Sequence, residues 1–230
     1  LMNITGSYIQ SKGNEIEYQD YAMLNIKGAG SYFTPKNEVY GSVAFNANNY
    51  YLYGYDHSIY TYTKDELKQQ FQDISFSAGI RNKVKTPMDI SYNPNLQASF
   101  FTNVDKLSEN TFVLEAPVEK RFNEMLSFKL SGKADVTSYT TKGYDPNNIK
   151  FDNNVFQIAP AVDFTSSMLK LHGGVTPTWS NADFYFLPDI YAEFKLRENG
   201  LLLEAGWVGN YVKNTYRNLS AINPYLKTFT

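Results

Sequence analysis

The chain has 230 residues, a net charge of −2, no cysteine, 19 tyrosines and 16 phenylalanines, and only 19% of its residues are charged. The length suits a single all-β domain. Without cysteine there is no disulfide framework and no thiolate metal site, and without a Lys/Arg cluster we expect no nucleic-acid partner. No run of about 18 apolar residues occurs, so a transmembrane helix is excluded.

Alternation of apolar and polar residues predicts eleven β-strands, because successive strand side chains point to opposite faces. In the clearest stretch Phe184, Phe186 and Ile190 share one face, and Glu193 and Lys195 share the other. A helical period of about 3.6 residues would mix these sets. In chain order the predicted strands are 2–10, 21–33, 38–53, 69–82, 88–103, 110–120, 125–140, 154–165, 168–178, 184–197 and 201–212.

The predicted connections alternate between a short set and a generally longer, more polar set. Short turns fall at 35–37, 82–87, 122–124, 166–167 and 198–200, and the other loops at 11–20, 54–68, 104–109, 141–153, 179–183 and 213–230. Outer-membrane barrels have short periplasmic turns and long extracellular loops. Most strands are also long enough to cross a hydrocarbon core of about 30 Å when tilted. The fold class predicted is therefore all-β, an antiparallel up-and-down transmembrane β-barrel.

The predicted domain organisation is one β-barrel segment, 1–230, truncated at both ends and belonging to a larger parent barrel. Prolines inside the predicted strands count against regular central strands, because proline donates no ladder hydrogen bond. Bulges or local edges are the expected accommodation. These prolines are Pro94, Pro117, Pro160, Pro177 and Pro188. A single helical turn is allowed within 64–72.

Short motifs in a fixed order along the chain carry a family resemblance. They include Tyr53-Gly54-Tyr55-Asp56, Tyr92-Asn93-Pro94, Ala116-Pro117-Val118-Glu119-Lys120, Gly206-Trp207, Lys213-Asn214-Thr215-Tyr216 and Asn223-Pro224-Tyr225. Together they resemble the barrel of TonB-dependent-receptor-like outer-membrane proteins from Bacteroidota. The resemblance implies an outer-membrane location and a longer barrel. It delivers neither a substrate nor a ligand-binding residue, and no plug domain or TonB box is seen in these residues.

The polar faces of the predicted strands carry charges of both signs, which would line the lumen of a barrel. The candidate lumen-facing residues are Lys129, Lys133, Asp135, Asp163, Lys170, His172, Glu193, Lys195 and Arg197. Two interpretations stay open: a polar path with charge selectivity, or an ion-pair network that fills and stiffens the wall. The network is favoured because neither sign dominates.

The loops 54–68 and 213–230 are long and rich in Tyr and Asn. Such loops suit recognition, because Tyr offers a large contact area with few torsions to freeze. The candidate recognition residues, including two from the loop 141–153, are Tyr53, Tyr55, Asp56, Tyr60, Tyr62, Tyr144, Asp145, Tyr216 and Tyr225. A solvated rim is the alternative interpretation.

No catalytic or cofactor motif is present. His172 and His57 are the only histidines, and nothing resembles a G-x-S-x-G elbow, so we predict no enzyme, no cofactor and no metal site. Calcium in the Asx-rich stretch 144–154 stays open, because Asx residues also form ordinary turns.

The leading functional hypothesis is a receptor-like or channel-like protein of the bacterial outer membrane that binds or passes a solute. Its expected partners are outer-membrane lipid and a small solute, a surface glycan or a partner protein. A non-transport structural subunit of a secretion or assembly complex is the first alternative. The second is a soluble β-barrel or sandwich that binds an apolar ligand, because alternation alone does not say which face meets lipid.

Overall fold

The structure, a computed structural model, describes residues 1–14, 17–141, 149–196 and 200–223. Within them the chain is built almost entirely of antiparallel strands. These are β1 (Met2–Ser11), β2 (Tyr21–Phe33), β3 (Asn37–Tyr51), β4 (Lys68–Asn82), β5 (Ile90–Tyr92), β6 (Asn95–Asn103), β7 (Ser108–Arg121), β8 (Leu126–Thr140), β9 (Lys150–Thr165), β10 (Leu169–Ser180), β11 (Asp183–Lys195) and β12 (Leu202–Val208). Two short helices accompany them, α1 (Lys64–Leu67) and α2 (Tyr216–Ile222).

All strands join one sheet, and apart from β5 each strand pairs with the strands that precede and follow it in sequence. The order is β1-β2-β3-β4-β6-β7-β8-β9-β10-β11-β12, and β5 pairs with β7 beside β6. The predicted all-β, antiparallel up-and-down architecture is therefore confirmed. In the described residues β1 and β12 each pair on one side only, so the sheet is open; a barrel is compatible with this topology. None of the described helices is long and apolar enough to cross a bilayer.

Prolines interrupt the ladders where they were expected to. The predicted strand 88–103 is two strands, β5 and β6, which separate at Asn93 and Pro94. Both keep one register on β7, and across the gap the Asn93 amide donates to the Pro117 carbonyl at 3.1 Å. Pairing of β9 with β10 likewise lapses between Ala161 and Gln157, the stretch that contains Pro160 and faces Pro177. Missing amide donors explain both gaps.

The strict rotation of short and long connections is only partly correct. Long connections do follow β1, β3 and β8, but β10 and β11 are joined by Asn181 and Ala182 alone. Asn181 has φ of 52°, a left-handed conformation that Asn tolerates better than most residues and that permits a tight hairpin. On the opposite side, seven residues, 83–89, separate β4 from β5. Loop length therefore does not by itself distinguish the two ends of the sheet.

The register sorts side chains onto two different faces. One row across six consecutive strands is apolar: Leu96, Leu114, Ala134, Phe156, Trp179 and Phe184. A row on the other side is polar: Ser75, Ser99, Thr111, Thr137 and Asn153. We call these sides the apolar face and the charged face. A slip of one residue would exchange them, so the pairing is specified by the alternation itself.

After β12 the chain does not continue as a strand but turns back across the charged face. This segment, residues 209–223, is called the strap. It contains α2, whose first turn is capped by Thr215, the hydroxyl of which accepts a hydrogen bond from the Asn218 amide at 3.2 Å. The sequence predicted a strand to residue 212 and a loop beyond it. The helix and its position were not predicted.

Candidate functional site

The apolar face has no covering layer in the described part of the chain. Leu114 is 48% exposed, Ile158 is 49% exposed and Trp207 is 70% exposed, although all three lie within strands. Other apolar side chains on this face are also exposed, among them Phe76, Phe112, Leu130, Val162, Leu171 and Ile190. Soluble monomers rarely show contiguous apolar patches beyond about 300–600 Å². A face of this kind, spread over the whole sheet, needs an apolar environment.

The charged face carries a chain of ion pairs across four strands. Asp163 on β9 accepts from His172 Nδ1 on β10 at 2.5 Å and lies 2.6 Å from Lys129 Nζ on β8. His172 Nε2 is 3.1 Å from Asp189 on β11. The four side chains therefore connect β8 to β11 in one unbroken series. Lys129 offsets the charge of one of the two carboxylates, and His172 offsets the other when its ring is protonated.

Further pairs sit directly opposite each other on neighbouring strands. Lys170 and Glu193 are register partners with a 2.9 Å contact, and Glu115 and Lys133 are register partners at 3.0 Å. Opposite charges in this position stabilise a sheet modestly. Lys195 is exposed at the end of β11, on the side of Glu193, and Arg197 lies outside the described residues. The members of the predicted set that the structure describes thus share one face, and all of them except Lys195 are in ion pairs.

The strap is fastened to the charged face by its two basic residues. Lys213 Nζ contacts the Asp135 carboxylate and donates to the Thr137 hydroxyl at 2.7 Å, both on β8. Arg217 donates from its guanidinium to Asp73 on β4 at 2.7 Å, and its amide donates to Glu109 on β7 at 3.2 Å. The second carboxylate oxygens of Asp73 and Glu109 are buried and have no hydrogen-bond partner in the described part of the chain.

Tyr216 of the strap is buried, which corrects its prediction as an exposed recognition residue. Its ring packs 5.7 Å from the rings of Phe101 and Tyr139, and Phe71 and Leu107 complete the cluster. Asn103 donates to the Tyr216 hydroxyl at 3.3 Å. Burial raises the pKa of this phenol above its usual value. The ring packs the strap against the end of the sheet that carries the loop 52–67, and it is not exposed to solvent.

Other predicted recognition residues do form an exposed aromatic group in the loop between β3 and α1. The Tyr55 ring stacks on His57 at 4.1 Å and meets Tyr62 edge-on at 5.1 Å, and Tyr60 stacks on Tyr62 at 6.0 Å. Asp56 accepts from the Ser58 hydroxyl at 2.6 Å and from its amide at 2.9 Å, and these bonds lower the pKa of Asp56. The candidates Tyr144, Asp145 and Tyr225 lie outside the described residues.

Two cavities with mixed polar and apolar linings adjoin the strap. The larger of the two, of about 500 Å³, has Tyr21, Tyr51 and Tyr53 among its lining residues. The second, of about 320 Å³, shares Asn48 and Phe71 with the first and continues to Asn25, Asn46, Asp73 and Arg217. The Oδ1 atoms of Asn48 and Asp73 are buried and accept no hydrogen bond from the described residues. Because these two oxygens are buried, the cavities themselves present other groups of their lining, among them the tyrosine rings and the Asn and Arg217 side chains.

Sequence reasoning missed Lys213 and Arg217 as partners of the charged face. The two residues are four apart in a segment that reads as a polar loop, and their carboxylate partners lie on distant strands. No local signal points to those contacts. In the described residues no group of three or more His, Asp or Glu side chains has the arrangement of a metal site.

The fold and site define a class: an up-and-down antiparallel sheet with an ion-paired charged face crossed by a strap, and with an apolar face that no described residue covers. Comparisons with protein-family models, curated proteins and solved structures gave no match. The resemblance to TonB-dependent-receptor-like barrels therefore stays a prediction.

Proposed function

We propose that the chain forms the wall of a bacterial outer-membrane β-barrel that is receptor-like or channel-like and binds or passes a solute. The observation that carries the proposal is the apolar face, which stays exposed over the whole sheet. Lipid satisfies such a face, and antiparallel strands satisfy their backbone groups within the bilayer. Strands such as β9, Lys150–Thr165, have the length needed to cross it when tilted.

The charged face supports the solute-binding part of the proposal. Its cavities next to the strap combine tyrosine rings with amide and carboxylate side chains. Ligand sites of this kind mix apolar contact area with a few convergent polar groups. The aromatic group around Tyr55, Tyr60 and Tyr62 lies in the neighbouring loop and supplies a contact surface for a solute, glycan or protein.

The position of the strap argues against a soluble β-protein with an apolar ligand. In that arrangement the apolar face would be turned inward and covered, and charges would face solvent. Instead the segment that folds back, with Tyr216 and Arg217, covers part of the charged face.

A non-transport structural subunit is the second candidate, and the strap is the observation that favours it. Lys213, Tyr216 and Arg217 connect β4, β6, β7 and β8, and the ion pairs around His172 connect β8 to β11. Contacts of this kind stiffen the sheet and occupy space on the charged face. They therefore suit a structural subunit better than a channel with a wide lumen.

Accessibility in intact cells tests the location. Single cysteines at Ile59, which is 69% exposed in the loop after β3, and at Glu124, in the turn before β8, lie at opposite ends of the strands. We expect a membrane-impermeant maleimide to label Ile59→Cys in intact cells and Glu124→Cys only after lysis. Equal labelling of both variants in lysate but of neither in cells would contradict the outer-membrane proposal.

Planar-bilayer recording separates the two candidates. A solute path should give a current that selected solutes reduce, and weakening the strap with Lys213→Ala and Arg217→Ala should increase that current. A structural subunit should give no solute-dependent current, whether the strap is intact or weakened.

A further inference from the structure

The charged face is divided into two unlike halves. The half on β8 to β11 holds the ion pairs around His172. On β4 and β6, both described throughout, the same face carries no charge between the row of Asp73 and the row of Arg81. The residues at those positions are Ser75, Ser77 and Gly79 on β4, with their register partners Ser99, Gln97 and Asn95 on β6. Strand alternation does not require this difference, since Lys or Glu would satisfy the pattern equally well.

A groove follows the uncharged stretch of the sheet. Its volume is about 330 Å³, and Ser42, Ser75, Ser77, Ser99 and Thr111 are among the residues that line it. Because these side chains are short, they leave space above the strands. We call this space the neutral groove.

The neutral groove connects cavities at the two ends of the strands. Arg217 lines both the neutral groove and the cavity of about 320 Å³ beside the strap. Toward the short turns, Ser42 and Ser77 are shared with another cavity, of about 370 Å³, which reaches the Glu38–Arg81 ion pair. The tyrosine-lined cavity adjoins the other end, so the four spaces form a series along one half of the charged face.

The charges that line this series are almost all balanced. Asp73 pairs with Arg217 at 2.7 Å, and Asp20 in the tyrosine-lined cavity pairs with Lys64 at 3.0 Å. Of the described residues that line the series, Lys27 alone has no ion-pair partner, and its side chain is exposed to solvent, where salt screens it. The series therefore offers little net charge to a solute.

The chemistry of the lining favours one class of solute. Hydroxyl and amide side chains both donate and accept hydrogen bonds, as the hydroxyl groups of a solute do. Ser75 and Gln97 line the neutral groove and have no hydrogen-bond partner for their side chains in the described part of the chain. A charged solute would lose hydration on entry without meeting an unpaired opposite charge.

We propose that this series of cavities is the route of a neutral, hydroxyl-bearing solute, and that the Arg217–Asp73 pair sets its charge selectivity. The inference rests on the proposed function and adds to it the class of solute and the half of the face that the solute follows. The two interpretations of the charged face then apply to different halves. The ion-pair network stiffens β8 to β11, and the polar path follows β3, β4 and β6.

Tracer exchange into proteoliposomes tests the class of solute. The probes are glucose, gluconate and glucosamine, which are similar in size and differ in charge at a pH that protonates the amine. Each is present at equal concentration on both sides of the vesicle, so that no potential builds up. We expect glucose to exchange severalfold faster than either charged probe.

Two outcomes of this experiment would overturn the inference in different ways. Equal rates for the three probes, or a faster rate for a charged one, would overturn the neutral route and leave the membrane channel intact. Exchange of none of them, by a chain that floats with the vesicles, would contradict the solute-passing form of the proposed function and this inference with it.

Variants of the Arg217–Asp73 pair test the selectivity. Arg217→Met leaves the Asp73 carboxylate unpaired and should raise the rate of glucosamine severalfold relative to glucose. Asp73→Asn leaves the Arg217 guanidinium unpaired and should instead raise the relative rate of gluconate. A strap that was merely loosened would change all three rates in the same direction in both variants, which would overturn the selectivity role.

The ion pair between Lys170 and Glu193 on the other half of the face is the matched control. These two side chains are 2.9 Å apart on β10 and β11. Lys170→Met and Glu193→Gln should leave the ratios of the three rates unchanged. Shifts as large as those of the Arg217 and Asp73 variants would place the solute outside the neutral groove and overturn the inference.

Discussion

Arg217 in the strap donates a 2.7 Å hydrogen bond to Asp73 on β4, a residue 144 positions earlier in the chain. The Asp73 side chain is 9% exposed and that of Arg217 is 35% exposed, so the carboxylate is the more deeply desolvated partner. This contact ties the C-terminal part of the described chain to the first half of the sheet.

Removing the arginine should leave a desolvated carboxylate behind. We expect Arg217→Met to lower the free energy of unfolding by about 1–3 kcal/mol, and Asp73→Asn in the same background to recover part of the loss. A double-mutant cycle measured by urea unfolding in detergent micelles would give the coupling. The exposed pair Lys64–Asp20, at 49% and 36% exposure, is the control and should couple by about 0–1 kcal/mol. Coupling no larger than in the control pair would mean that the Arg217–Asp73 pair does not hold the strap.

Tyr216 provides that packing, and its ring and hydroxyl contributions can be separated. Tyr216→Ala empties a site only 8% exposed, between Phe101 and Tyr139, and should cost about 3–5 kcal/mol. Tyr216→Phe keeps the ring and loses the bond from Asn103, which should cost about 0.5–1.5 kcal/mol. Tyr60, 52% exposed, is the reference, and Tyr60→Ala should change stability by no more than about 0.5 kcal/mol. Unfolding midpoints in micelles would rank the three variants, and a different order would contradict the burial of Tyr216.

The strands could be predicted from sequence because their signal is local. Alternation with a period of two places Glu193 and Phe194 on opposite sides wherever the strand pairs, and the prolines mark gaps because they lack an amide proton. The tight hairpin at Asn181 was missed, since it depends on one left-handed residue within a polar stretch.

The strap could not be predicted for the opposite reason. Lys213 reaches Asp135 and Arg217 reaches Asp73 across 78 and 144 positions, and neither pairing leaves a periodic trace in the sequence. Tyr216 looks like any loop tyrosine until its neighbours Phe71, Phe101 and Tyr139 are brought together by the sheet. Sequence reasoning therefore identified the charged face but not what lies across it.

The stability of the helical turn α1, which lies in a loop outside the strands, should depend on pH. Glu66 accepts from the Thr63 amide at 2.7 Å and from its hydroxyl at 2.8 Å, and these bonds lower the pKa of Glu66 below its ordinary value. The pKa of Glu66 is lower in the folded state than in the unfolded state. The ionised carboxylate therefore contributes its full stabilisation at pH values above the unfolded-state pKa. It is lost as the pH falls through the folded pKa.

An NMR titration of the Glu66 carboxyl carbon in micelles would check this. The midpoint should lie below the ordinary glutamate range, and Thr63→Val, which removes the hydroxyl but keeps the amide, should raise it only part of the way back. An unchanged midpoint in Thr63→Val would show that the amide alone sets it. A midpoint in the ordinary range for the unmodified chain would contradict the capping geometry.

The assignment of the two faces can be tested at adjacent positions of β8. Leu130 is 43% exposed on the apolar face, opposite Val118 and Pro160, and Ser131 is its neighbour on the charged face. If the apolar face meets lipid near the middle of the bilayer, Leu130→Arg should cost about 2–4 kcal/mol. Ser131→Arg should cost far less, because its side chain enters a face that already holds Lys129 and Lys133. Both variants add the same group to the same strand, so the difference between their unfolding free energies in lipid vesicles isolates the environment of each face. Equal losses would show that neither face is in lipid, and a larger loss for Ser131→Arg would reverse the assignment.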